Sequence, residues 1–225
     1  MPVNPTSQQI RNLYDRNGAG YDRLFHRMLR VHEPVHALCR HRRYLDRPGM
    51  KVLDAGCGSG MFSRALFRED PGGATAGYYG FDISRSMLDA FRDENQRIGL
   101  RDVQLELADA TRPGLLPRWT GFDLIVTCGM LEYCRDDLSG VLRQLLEKLQ
   151  PDGRLVMVLA RDNLLTGPLL QHWGTRGINR EEIQKALDSL GLASGSSFQT
   201  LPGHPLSLSH LSNLTNFVVE VRPGR

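Results

Sequence analysis

The chain has 225 residues, 40% of them hydrophobic, and a formal net charge of +3. That length buries one good core, so one domain with an N-terminal extension is expected, and so weak a net charge does not by itself point to nucleic acid. The four cysteines (Cys39, Cys57, Cys128, Cys134) show no CxxC pair and no secretory context, so free thiols in a reducing cytoplasm and no metal site are expected.

The first residues, Met1-Pro-Val-Asn-Pro-Thr-Ser, lack a basic region followed by an apolar stretch. No apolar run approaches the ~18 residues of a membrane span, so neither a signal peptide nor a span is expected. Residues 5–46 read as one or two helices. Residues 1–47 form a helical extension, a lid or substrate-side cap, ahead of a domain over 48–225. Residues 1–50 carry nine arginines against Asp15, Asp22, Glu33 and Asp46, with His26, His32, His36 and His41 among them. A solvated helical face accounts for this; an anionic substrate, a membrane surface or an RNA patch are the alternatives.

After residue 50 the chain alternates β and α. Strands are predicted at 51–55, 76–82, 103–108, 122–127 and 154–159, and helices at 61–69, 85–97 and 138–149. The last helix carries a stripe of Leu138, Val141, Leu142, Leu145, Leu146 and Leu149. Pro151-Asp152-Gly153 reads as the turn into the fifth strand. Asn179, with Glu182 three residues on, makes a capping box for a helix to Leu190, which Gly191 stops. Two late strands are expected near 197–201 and 216–221. Five βα units with short connections imply an α/β fold with a parallel sheet covered on both faces.

The run Lys51-Val-Leu-Asp-Ala-Gly-Cys-Gly-Ser-Gly60 is the most informative stretch. A buried strand ends in Asp54, a glycine turn follows (Gly56, Gly58, Gly60), and a helix begins at Met61. Strand, glycine loop and helix N-terminus make a nucleotide cradle, because the backbone can approach the ligand and free N–H groups face it. The dinucleotide fingerprint G-x-G-x-x-G would need a third glycine where Met61 stands. An acid two residues before the first glycine repels a pyrophosphate but suits a ligand with ammonium and sulfonium charges. The run resembles the first motif of class I S-adenosylmethionine (SAM)-dependent methyltransferases, V-L-D-x-G-C-G-x-G. The resemblance covers residues 48–160 well and 175–221 loosely. It implies a Rossmann-like, doubly wound, seven-stranded and mostly parallel sheet with an antiparallel C-terminal strand.

The same resemblance distributes the ligand. Asp82, 22 residues after Gly60 at the end of the second strand, is expected to accept both ribose hydroxyls. Ile83 then packs against adenine, Ser84 caps the next helix, and Met87 belongs to the family's D-x-S-x-x-M-L run. Asp109 accepts from the adenine amino group while the Ala110 N–H meets a ring nitrogen. The Thr127 and Cys128 backbone faces the methionine part, with Met130 or Leu131 bordering the substrate. Tyr133 stands where many relatives have His, which removes one general-base candidate. The Tyr14-Asp15 and Tyr21-Asp22 pairs are similar to the lead-in of small-molecule and quinone-biosynthesis methyltransferases. There an N-terminal aromatic closes over the cofactor. Tyr21 is the expected one, with core packing or a helix-face tyrosine as the alternative.

Methyl transfer from a sulfonium is an in-line displacement in which the protein supplies proximity and a dry pocket, so no catalytic side chain need be visible. No [DNS]-P-P-[YF] segment follows the fourth strand, and neither Cys128 nor Cys134 follows a proline. The base candidates are His172, set among Leu164, Leu165, Leu169, Leu170 and Trp173, then Tyr133, Tyr21, and more remotely His204 and His210. A surface-loop His and ordinary packing of a long connection are the competing readings. The expected function is methylation of an O, N or C nucleophile of a small organic molecule, with release of S-adenosylhomocysteine. Alternatives are a lipid or quinone acceptor met at a membrane surface, RNA, or a SAM-binding partner subunit without turnover. A cytoplasmic monomer or homodimer that does not bind DNA is expected.

Overall fold

In the computed structural model the described residues are 5–22, 32–68, 75–98, 102–112, 114–201 and 215–223. Two helices, α1 (Ser7–Asp22) and α2 (His32–Arg42), precede the sheet. Then come β1 (Met50–Ala55), α3 (Met61–Arg68), β2 (Thr75–Asp82), α4 (Arg85–Ile98), β3 (Val103–Leu107) and β4 (Phe122–Cys128). The chain continues through α5 (Leu138–Leu146), β5 (Leu149–Ala160), α6 (Gly167–His172), α7 (Arg180–Ser189), β6 (Ser196–Gln199) and β7 (Asn216–Val221).

The seven strands lie in the order β3-β2-β1-β4-β5-β7-β6. Strands β1 to β5 are mutually parallel, and β7 runs antiparallel between β5 and β6. The order reverses between β1 and β4, so a crevice opens at their carboxyl ends, where ligands of such sheets bind. The central strands read as unbroken apolar runs because both of their faces are covered. Leu53, Ile125 and Met157 pack with Leu142, Leu145, Ile183 and Leu187 on one face. On the other, Val52, Leu124 and Val156 pack with Leu38, Phe62, Leu66 and Leu88.

Three local expectations change. Helix α5 stops at Leu146, and β5 starts at Leu149. Phe122 pairs with Leu149 but Leu124 pairs with Arg154, so residues 150–153 are a bulge within the strand and not a turn ahead of it. A Cβ on Gly153 would lie 2.7 Å from the Phe122 carbonyl oxygen, which is why the bulge needs glycine there. Helix α6 was not foreseen, because six residues with Pro at the start are too short to show a period. The capping box of α7 forms as expected: Asn179 Oδ1 accepts from the Glu182 N–H, and Glu182 Oε2 from the Asn179 N–H, each at 2.9 Å. His204, His210 and the side chain of Tyr21 lie outside the described residues.

Candidate active site

The glycine loop is shaped first by its own packing. Gly56, Gly58 and Gly60 have φ of +72°, +51° and +88°, which L side chains rarely adopt. A Cβ on Gly56 would lie 2.6 Å from Met130 Cβ, and one on Gly60 2.8 Å from the Phe91 ring. The N–H groups of Gly56 and Cys57 both donate to the Phe81 carbonyl, at 2.9 and 3.0 Å, and bind the loop to β2. Gly56, Cys57 and Gly58 line a pocket at the carboxyl ends of β1 to β4; Gly60 lies outside that lining and serves the Phe91 contact.

Three carboxylates enter this pocket from three strands: Asp54 near the end of β1, Asp82 at the end of β2 and Asp109 just past β3. Asp54 is 2% exposed and accepts a hydrogen bond from the Tyr78 phenol. Its burial pushes the carboxyl up to about 7, although the Tyr78 bond opposes the rise. Asp82 Oδ2 accepts from the Gly58 N–H and Oδ1 from the Ser84 N–H, both at 2.9 Å. Burial pushes Asp82 up to about 6 against those backbone donors. Around Asp109, burial disfavours the charge, but bonds from Thr111 and Ser7 and the Arg112 cation outweigh it, so its carboxyl lies below the ordinary range. Asp109 Oδ1 accepts from the Thr111 N–H at 3.0 Å and hydroxyl at 2.6 Å. Among the described residues its buried Oδ2 accepts no hydrogen bond, although Arg112 Nε forms an ion pair with it at 3.4 Å. A buried acceptor without a donor is costly unless something fills it, and an exocyclic amine of a base would.

Helix α1 roofs the pocket through Ile10 and Tyr14. Ser7 Oγ lies 2.9 Å from Thr111 Oγ1, and Arg11 Nε donates to the Ile83 carbonyl at 3.2 Å. Asp15 accepts from the Ser84 hydroxyl at 2.6 Å. Tyr14 stacks on Trp173 at 5.5 Å and meets Tyr133 edge-on at 6.0 Å. Tyr133 donates its single proton to the Trp173 carbonyl at 3.0 Å, so the 2.9 Å bond to Tyr14 must have Tyr14 as donor.

Burial pushes the Tyr133 phenol upward, and its proton is committed to the Trp173 carbonyl, so Tyr133 latches the roof. His172 ends α6, exposed, with its ring edge-on to Trp173 at 5.8 Å and outside the pocket lining. Thr127 sits buried within β4 below the pocket, while Cys128 lines it together with Ile83, Met87 and Ala110. Burial pushes the Cys57 and Cys128 thiols upward, and Cys134 up to about 12, which disfavours the thiolate. Among the described residues no cluster of His, Cys, Asp and Glu could hold a metal ion.

Three residues escaped sequence reasoning. Tyr14, not foreseen as the roofing aromatic, lines the pocket. Glu132 is buried, accepts from the Ala160 N–H at 2.6 Å, and is pushed by burial up to about 7. Tyr78 holds Asp54. A tyrosine at a fully buried strand position must find a partner for its hydroxyl, and that was the available signal.

Residues 46–189 match a family model described as a methyltransferase domain. Over 141 residues the chain is 36% identical to nocamycin O-methyltransferase of Saccharothrix syringae, covering 59% of this chain and 45% of that protein. Over 158 residues it is 28% identical to aklanonic acid methyltransferase of Streptomyces sp. (strain C5), covering 66% and 63%. The chain thus spans about half to under two thirds of the length of these curated relatives. Its fold is shared with magnesium protoporphyrin IX methyltransferase of Synechocystis PCC 6803 with bound S-adenosylhomocysteine, at a TM-score of 0.66 and 20% identity over 96% of this chain and 99% of that one. With the family model spanning more than half of its residues, the chain belongs to the class I SAM-dependent methyltransferases.

Proposed function

We propose that the chain methylates an oxygen of a small organic acceptor, using SAM and releasing S-adenosylhomocysteine. One observation carries this reading. One roofed pocket gathers three carboxylates at the sheet's switch point, one of them with a buried oxygen that accepts no hydrogen bond from the described residues. Asp82 suits the ribose hydroxyls, Ile83 and Met87 the adenine faces, and Asp109 Oδ2 with the Ala110 N–H the adenine edge. Asp54, with Gly56, Cys57, Gly58 and the Cys128 backbone, suits the cationic methionine end. When bound, SAM supplies an electrophilic methyl group on sulfur. The chain's residues supply alignment and exclude water, with α1 as the roof.

The acidic groups of the pocket shape the choice of acceptor. Asp54 and Asp82 face the donor, Tyr133 has committed its proton, and the thiols stay neutral. An acceptor that ionises readily, such as a phenol or an enol, fits a pocket without a dedicated base. The oxygen-directed activity in the name of the nocamycin enzyme agrees with this choice.

A second reading has its own observation. Arg40, Arg42 and Arg43, at the end of α2, line a groove with Arg161, Arg180 and Glu33 beside the edge formed by β6 and β7. That charge favours an anionic acceptor or an anionic membrane surface. No described helix is long and apolar enough to cross a membrane.

Labelled SAM incubated with the full chain and fractionated cell extract tests both. Label in a small organic-soluble product is expected. Label in RNA overturns the proposal, and turnover that requires anionic vesicles favours the second reading.

A further inference from the structure

We propose that Tyr78 is a positioning residue of the donor site: its phenol aims the Asp54 carboxylate at the cationic end of the methyl donor and keeps it ready to receive that charge. This rests on the donor-site reading above. Asp54 pairs across the sheet with Gly80, and Val52 pairs with Tyr78. Side chains two apart on a strand share a face, so Tyr78 and Asp54 stand on one face. Gly80, opposite Asp54, has no side chain, and the longer Tyr78 reaches Asp54 Oδ2 along that face.

The phenol is itself held. Tyr78 is fully buried, with the Phe67 and Phe91 rings edge-on at 5.6 and 5.7 Å. The Ser63 hydroxyl of α3 donates to the Gly60 carbonyl at 2.7 Å and ties the glycine loop to that helix. Burial pushes the Tyr78 phenol well upward, so it stays a donor at all ordinary pH.

The surroundings of Asp54 explain why a donor is needed. The titratable groups facing it are Tyr78 and Asp82 on β2, Cys57 in the loop and Cys128 at the end of β4, all of them acids. Burial and Asp82 both favour a protonated Asp54, and the Tyr78 bond favours the carboxylate. A carboxylate attracts the ammonium and sulfonium groups of the donor, and a neutral carboxyl does not. Donor uptake should therefore strengthen as pH rises through about 7, the value to which burial brings Asp54. Removing the phenolic oxygen should move that rise to higher pH.

Tyr78→Phe keeps the ring packing and deletes only the oxygen. The full chain is compared as wild type, Tyr78→Phe and Asp54→Asn. S-adenosylhomocysteine, which retains the ammonium, is titrated calorimetrically from about pH 6 to about pH 8.5. Carboxyl-carbon NMR follows the titration of Asp54 itself without ligand. In Tyr78→Phe, affinity at neutral pH is expected to fall about five- to fiftyfold and to approach wild type at the alkaline end. The Asp54 titration should move upward with it. An equal loss at every pH, or an unmoved Asp54 titration, overturns the proposal while leaving the donor-site reading intact. If Asp54→Asn changes neither the affinity nor its pH dependence, the donor-site reading fails, and the proposal falls with it.

Discussion

The carboxyl ends of β1 to β3 and those of β4 and β5 use their polar groups differently. On the β1–β3 side each acid is set by short-range backbone or by one buried neighbour, and each still offers oxygen lone pairs to a ligand. Asp82 takes the Gly58 and Ser84 N–H groups, Asp54 the Tyr78 phenol, and Asp109 the Thr111 pair. On the β4–β5 side the polar groups are spent on closure. Tyr133 binds Tyr14 and Trp173, Glu132 binds the Ala160 N–H, and Thr175 donates to the Glu132 carbonyl at 2.9 Å. The first side keeps acceptor oxygens turned to the pocket. The second holds a roof and leaves an apolar border.

The comparison breaks most sharply at Gly56. Gly56→Val puts a branched side chain at positive φ and against Met130, a combined strain of about 3–5 kcal/mol. SAM binding should vanish by calorimetry while circular dichroism retains a folded sheet; ordinary affinity would show that the loop does not shape the donor site. Asp82→Ala comes next. It removes charge-assisted acceptors and should weaken S-adenosylhomocysteine by about 2–3 kcal/mol. An unchanged dissociation constant would mean that the ribose lies elsewhere.

Asp54→Asn separates recognition from stability. The folded Asp54 is raised from 3.8 to about 7. Between those values the folded state holds more protons than the unfolded one, so stability falls as pH rises from about 4 to about 7. Asp54→Asn should therefore raise the melting temperature of the ligand-free chain at pH 8, by the equivalent of about 1–3 kcal/mol, while weakening the donor. A lower melting temperature would show that the charge is stabilised in a way the geometry does not show.

The β4–β5 side is expected to give smaller effects. Tyr133→Phe removes the roof latch, at about 1 kcal/mol, and should raise the donor dissociation constant several-fold with no new limb in the pH–rate profile. His172→Ala should change kcat by less than about twofold, as expected for an exposed residue outside the pocket. A large loss with either, together with a lost basic limb, would restore that residue as the base.

What was legible and what was not divides along the same line. Asp54, Asp82 and Asp109 could be placed because each stands at or just past the carboxyl end of a strand with a turn after it. The bulge at 150–153 was misread because Pro-Asp-Gly signals a turn equally well inside a strand. Tyr14 and Tyr21 share one local pattern, and only packing against Trp173 tells what Tyr14 does. His172 drew attention through its apolar neighbours, yet Leu164 is 95% exposed and Leu165 58%, so that run forms no pocket wall.

Taken alone, the order of residues determined the alternation of strands and helices, the glycine loop and the acids that border it. All of these rest on local rules: hydrophobic period, the backbone freedom of glycine, and the spacing of one strand and one turn. Tertiary structure alone decided which phenols are latches, which buried acid oxygens are left without a hydrogen bond among the described residues, and that Tyr78 bonds Asp54. Those outcomes depend on burial and on single hydrogen bonds between residues far apart in the chain, such as Tyr14 and Tyr133. Such bonds form only once the sheet has brought the strand ends together, and no local pattern records them.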